Sequence, residues 1–177
     1  LLNEDNIRLR QILSLQKSSN NDNISAAVIS RKTGGWWRQI ILNKGSKDGV
    51  EIGSTVIGPG GLLGRVKSTS LYTSSVILLT SPESKVGVWV DRISINGLLI
   101  GLGDEYPKLI LYSKGADLKV GDFVSSSPAS TLLPPNIPIG IVQSIDETLK
   151  SKKTAKISLL AKPHVIDWVQ IIKVKIL

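Results

Sequence analysis

The side chains able to do chemistry are few, and they are scattered. The chain has one histidine and no cysteine. His164 stands in Lys162-Pro163-His164-Val165 with Asp167 three residues on, too near in an extended chain to orient the imidazole. Serines are plentiful, as at Ser125-Ser126-Ser127, but none sits in a G-x-S-x-G elbow. Gly121-Asp122 is followed by Phe-Val-Ser rather than the Ser-Gly of a chymotrypsin-like nucleophile. Because triads assemble in space, a hydrolase reading rests on His164 alone. The alternative is a surface or interface histidine at the entry to the last strand.

Metal and phosphate chemistry have less to work with. Without thiolates, ligands would have to come from His164 and from isolated carboxylate pairs, Asp104-Glu105 and Asp146-Glu147, beside turns. No metal site and no cofactor are expected. The glycine-rich stretch Lys44–Val66, KGSKDGVEIGSTVIGPGGLLGRV, lacks G-x-x-x-x-G-K-[ST], and no helix pattern follows it. The densest basic cluster, Lys150-Ser151-Lys152-Lys153 with Lys156, has no interleaved aromatic on which a base could stack. It reads as a solvated hairpin tip, and no nucleic-acid partner is expected. The net charge of +8 and pI of about 9.8 favour anionic neighbours such as lipid head groups or wall polymers, or serve solubility alone.

The elements around these residues are mostly strands. Lys44–Val66 holds seven of the sixteen glycines between short aliphatic runs, the pattern of strand, tight turn and strand. It has an echo: Lys114-Gly115-Ala116 repeats Lys44-Gly45-Ser46, Val120-Gly121-Asp122-Phe123-Val124 repeats Ile52-Gly53-Ser54-Thr55-Val56, and Gly140-Ile141-Val142 repeats Gly64-Arg65-Val66. Gly45, Gly53, Gly64, Gly115, Gly121 and Gly140 are therefore read as structural turn positions. Further strands are expected at 24–31, 36–43, 73–80, 108–113, 154–161 and 165–176. Val86, Val88 and Val90 alternate with Gly87, Trp89 and Asp91, and Asn96-Gly97 is expected to be the two-residue turn of a hairpin. About a dozen short strands point to all-β barrels or sandwiches, with an aliphatic core because aromatics are scarce. Trp36 and Trp37 open the expected strand 36–43 and must face opposite sides of it, as a buried pair at a domain boundary or as aromatics that contact a partner.

Residues 1–17 read as the end of a helix. Leu2, Asn6, Leu9 and Leu13 follow the alternating four-three spacing of a coiled-coil seam, in which a polar residue can fix register. This suits a dimerising coiled coil continuing upstream, or an amphipathic helix lying on its own domain. With no methionine in the sequence, a segment before Leu1 is expected. Residues 18–23 are small and polar, a linker. The barrels are expected at 24–81 and 82–177, and the last strand has the option of returning to the first.

Taken together, the leucine seam, Asn43-Lys44-Gly45-Ser46-Lys47-Asp48-Gly49-Val50, Gly61-Leu62-Leu63-Gly64-Arg65-Val66, Lys119-Val120-Gly121-Asp122-Phe123-Val124 and Pro135–Val142 resemble the extracytoplasmic part of the MreC family of cell-shape determinants. The chain departs from the family pattern at Ser125–Thr131. The resemblance implies a mainly β protein, with two small six-stranded barrels preceded by an N-terminal coiled-coil helix. It implies a non-enzymatic scaffold of the wall-elongation machinery, held in the bacterial inner membrane by a helix upstream of Leu1, with the barrels on the periplasmic or extracytoplasmic side. The implied partners are a second copy of the chain, as dimer or filament, the elongation transpeptidase of the penicillin-binding protein family, and the MreD and MreB-linked membrane complex. Two other readings stay open here: a periplasmic adaptor of a transport system, which needs a long helical hairpin, and a chymotrypsin-like double-barrel hydrolase.

Overall fold

The computed structural model describes residues 3–5, 23–36, 38–113, 115–130, 133–148 and 152–173. Residues 3–5 are helical and exposed. The seam positions Leu2, Asn6, Leu9 and Leu13 lie outside the described residues, as do Trp37, Lys114 and Lys150. Among the described residues, no helix is long and apolar enough to cross a membrane.

Two closed antiparallel barrels of six strands each account for the rest. The first contains β1 (Asn23–Lys32), β2 (Gln39–Leu42), β3 (Thr55–Gly58), β4 (Gly61–Thr69), β5 (Ser74–Leu78) and β12 (Trp168–Ile172). The second contains β6 (Lys85–Val90), β7 (Ile95–Ile100), β8 (Lys108–Leu111), β9 (Phe123–Ser126), β10 (Pro138–Asp146) and β11 (Lys153–Leu159). Of the two places open to the last strand, the topology has it in the first barrel. The second barrel closes with β11, and β12 crosses back to pair with β1 (Ala26 opposite Val169) and β3 (Val56 opposite Ile171). Burial explains the return, since Val169 and Ile171 complete a core with Ala26, Ile40, Leu42, Val56 and Val76.

The echo in the sequence is an echo in the ladder. Round the first barrel the order is β1-β12-β3-β4-β5-β2, and round the second it is β7-β6-β9-β10-β11-β8. Val56 faces Gly64 as Val124 faces Gly140. A register shift follows Val66 in β4 and Val142 in β10. The Gly53 N–H donates to the Val66 carbonyl (2.8 Å), and the Gly121 N–H to the Val142 carbonyl (2.9 Å). The place held by β6 in the second ring is held by β12 in the first.

Glycine has two different uses in this repeat. Gly53, Gly115 and Gly121 lie at φ of +91°, +79° and +94°, where a side chain is strained. Gly64 and Gly140 are not turn residues: both lie inside strands, β4 and β10. They are needed because a neighbouring strand comes too close, and a Cβ on Gly64 would sit 1.9 Å from the Ile77 carbonyl oxygen. Gly45 is extended, and its Cβ would meet the Ser70–Thr73 backbone at 2.4–2.7 Å. It lets the 3-10 turn Ser46–Asp48 dock on that hairpin, where the Ser46 N–H donates to the Ser70 carbonyl (2.8 Å).

Asn96-Gly97 is a second correction. Both residues lie within β7, Trp89 facing Asn96 and Val88 facing Gly97, and the reversal occurs at 91–94 with Ser94 at φ +53°. The type of residue was compatible with a turn, but Gly97 is there for space: a Cβ would meet Leu111 Cδ2 at 2.7 Å and the Ile110 carbonyl oxygen at 2.8 Å. The barrels are joined through β3 and β4. Ile57 and Leu62 are buried in the second barrel's core cluster, with Val88, Leu109 and Ile139. A Cβ on Gly61 would lie 2.0 Å from the Pro138 carbonyl oxygen.

Candidate partner and ligand interface

Fixed polar contacts in this chain tie elements to one another. Arg92, in the β6–β7 turn, donates through Nε and Nη2 to the two carboxylate oxygens of Asp122 (2.7 and 2.9 Å). The same carboxylate accepts from the Lys119 N–H (2.8 Å), so one buried acid joins the turn to the start of β9. The Arg92 hydrogen bonds hold the Asp122 carboxyl below its usual range, against the opposing effect of burial, and the Lys119 N–H adds to them.

A carboxyl depressed on folding stabilises the fold above its unfolded pKa of about 3.9, and that contribution is lost as pH falls through the folded value. Acid titration of stability should therefore steepen below about pH 4. Asp122→Asn should flatten that limb and lower the melting midpoint at neutral pH by roughly 3–6 °C. Calorimetry across pH checks both, and an unchanged acid limb in the variant would refute the assignment.

Arg31, near the end of β1, holds the crossover that returns the chain to the first barrel. Its Nε donates to the Pro163 carbonyl (3.1 Å), and its Nη2 to the Ile166 carbonyl (2.6 Å) and to Asp167 Oδ1 (2.6 Å). Asp167 is thus a partner of Arg31. His164 is exposed and borders a cleft of about 240 Å³ at the barrel junction, with Thr33, Arg38 and Glu105 on its walls. Among the described residues, no serine lines that cleft. Ser125 donates to Asp91 (2.5 Å), Ser126 to the Pro134 carbonyl (2.6 Å) and Ser127 to Asn96 (2.6 Å). The structure does not bring the histidine and the serine triplet together. Among the described residues, no group of three His, Cys, Asp or Glu could hold a metal ion. Lys153, from the basic hairpin tip, donates to the Ala116 carbonyl.

Large apolar side chains at the surface are the other conspicuous feature. Trp36 does not lie on a strand, because β2 begins only at Gln39; it sits in the β1–β2 loop and is 62% exposed. The period-two argument therefore does not apply to it. Its indole leans on the Pro82 and Gly103 region, where a Cβ on Gly103 would come within 3.1 Å of Trp36 Cε3. Trp168 opens β12 opposite Ala27 and is 63% exposed, with Ile29 also exposed two residues along on β1. Ile52 and Val120 stand at equivalent places before Gly53 and Gly121, and both are exposed. Sequence patterning missed Trp168, since an exposed aromatic at a strand's start looks like its buried neighbours. It also missed the groove formed by Arg31, Lys32, Gln39 and Lys67 beside Trp36, because Lys67 comes from a distant strand.

The comparisons with known proteins agree with one another. The family model described as "Rod shape-determining protein MreC, barrel core" matches residues 28–173. A cell shape-determining protein MreC from Caulobacter vibrioides is 31% identical over 176 residues, covering 98% of this chain and 49% of the relative. The chain spans about half the length of the curated relatives it matches. A solved structure named MreC superposes with a TM-score of 0.79 at 27% identity, covering 97% of this chain and 99% of that one. A chain from the complex between penicillin-binding protein PBP2 and MreC from Helicobacter pylori shares the fold, with a TM-score of 0.66 at 14% identity, covering 85% and 98% of the two chains.

Proposed function

The chain belongs to the MreC family of rod shape-determining proteins, and on that premise we propose that it is a non-enzymatic scaffold of the bacterial wall-elongation machinery. In this role it maintains cell shape by positioning or activating the elongation transpeptidase. The observation that carries the reading is the pairing of two closed barrels with large apolar side chains left at their surface. Side chains of that kind suit partner contact. The H. pylori complex supports a penicillin-binding protein as that partner.

The rest of the reading follows from the family. Leu2, Asn6, Leu9 and Leu13 form a dimer seam, a helix upstream of Leu1 anchors the protein in the inner membrane, and the barrels work on the periplasmic side. There the chain joins the transpeptidase to MreD and the MreB-linked complex, as a dimer or a filament. Trp36 and Trp37 contact a partner molecule, and the glycines at 45, 53, 64, 115, 121 and 140 serve the framework.

Two measurements test this. Titration of residues 1–177 against the soluble ectodomain of the transpeptidase should give saturable binding with a Kd in the micromolar range; no heat or shift at ~1 mM would reject the role. Sedimentation should show a dimer that becomes a monomer in Leu9→Asp/Leu13→Asp, because charge in a two-heptad seam removes its apolar contact. A monomer before substitution would remove the seam from the proposal.

A further inference from the structure

The loop joining β1 to β2 borders an open groove of about 650 Å³, within the size range of ligand clefts. Trp36 forms one wall, and the cations Arg31, Lys32 and Lys67 line it together with Thr33 and Gln39. Arg31 is paired with Asp167 and Lys67 with Glu83, but neither carboxylate lines the groove. Lys32 is exposed and in no ion pair among the described residues. The Arg31 and Lys67 charges are thus met at contact distance by carboxylates outside the lining, and Lys32 is the cation left to attract an anion into the groove. Gln39 accepts from Ser75 Oγ through Oε1 (3.4 Å), which leaves its amide N–H groups for a ligand.

The indole is the second half of the site. Gly103, at φ +79°, lets the chain pass close beneath one side of Trp36, with Pro82 next to it, while the side chain as a whole remains 62% exposed. A ring packed at one part against Gly103 and exposed over most of its surface offers a platform that loses little rotamer freedom when a ligand covers it. The apolar C–H face of a pyranose ring fits such a surface. Among the described residues Trp36 is the one aromatic that lines the groove, whereas single-stranded nucleic acid stacks successive bases.

We propose that this groove binds a saccharide bearing a carboxylate: the sugar face stacks on Trp36, the carboxylate pairs with Lys32, and ring hydroxyl or amide groups meet Thr33 and Gln39. The proposal goes beyond the transpeptidase reading and does not depend on it.

Calorimetric titration of residues 1–177 tests it with four probes. These are an oligomer of alternating N-acetylglucosamine and N-acetylmuramic acid with free carboxylates, an oligomer of N-acetylglucosamine and glucuronic acid, neutral N-acetylglucosamine tetramer, and polyglutamate. The expected result is a Kd of about 0.1–1 mM for at least one acidic oligosaccharide, with neutral tetramer at least ~5-fold weaker. The first two probes separate a lactyl-bearing amino sugar from a uronate as the source of the carboxylate. Trp36→Ala should weaken binding ~10-fold, Trp36→Phe only ~2–3-fold, and Lys32→Glu ~5-fold, with melting curves unchanged. The proposal is overturned if neither acidic oligosaccharide binds at ~10 mM, if the neutral tetramer binds equally well, or if polyglutamate binds as tightly and is indifferent to Trp36→Ala.

Discussion

Gly64→Ala should destabilise the protein by about 3 kcal/mol or more, a fall in melting midpoint of roughly 6–12 °C. The added Cβ would lie 1.9 Å from the Ile77 carbonyl oxygen and 2.9 Å from its carbon. Backbone atoms of a paired strand cannot turn aside as a flexible side chain can. The ladder would have to part where Gly64 pairs with both Val56 and Leu78. Gly140→Ala, at the equivalent place in the second barrel, should cost less, since its nearest contacts are 2.5 Å to the Ser158 carbonyl oxygen and 2.6 Å to the Ile157 methyl group. Gly87→Ala in β6 should be near neutral, because among the described residues only Ser130 lies within 4 Å, at 3.9 Å. Thermal melts of the three variants check the order, and Gly64→Ala melting with the wild type would show that the strands can separate freely. Gly64→Val should be worse, and any lost partner binding should follow from lost fold.

Removing β12 should have the other large effect, and it should be confined to one barrel. A chain ending at Leu160 keeps all six strands of the second barrel but leaves β1 and β3 of the first without their shared partner. Val169 and Ile171 leave the core with it. Backbone amides of β6–β11 should retain slow hydrogen exchange in the truncated chain, while those of β1–β5 exchange on the timescale of local unfolding. A synthetic peptide of residues 161–173, supplied in excess, should restore protection, helped by the Arg31 contacts to Pro163, Ile166 and Asp167. Equal loss of protection in both barrels would show that they fold as one unit.

How much could be read in advance depended on whether a signal was local. Val86, Val88 and Val90 alternate on the page and are buried in the second core. The repeated glycine strings could likewise be aligned by eye, and they fall at equivalent ladder positions. Gly64, Gly97 and Gly140 were legible as special residues but not as to purpose. A positive φ and a close approach leave the same letter, and only a neighbour distant in sequence tells them apart. Asn96-Gly97 shows the cost, because its local turn preference is overridden by the register that buries the valines. The groove beside Trp36 was not legible, since its cations come from β1 and β4 and their meeting is a product of topology. Trp168 was hidden for a related reason: composition does not say which face of a closing strand looks outward.

The return of β12 has a consequence for biosynthesis. β5 ends at Leu78 and β12 begins at Trp168, so a ribosome adding ~5–20 residues per second takes about 5–20 s to supply the strand that closes the first barrel. Throughout that interval β1 and β3 present unpaired backbone edges on a nascent five-stranded sheet, the kind of surface that recruits other chains. The second barrel meets no such delay, since its six strands emerge in succession. Translation speed across the codons for residues 79–168 is therefore a variable on which yield of the first barrel should depend, whereas the second should be indifferent to it.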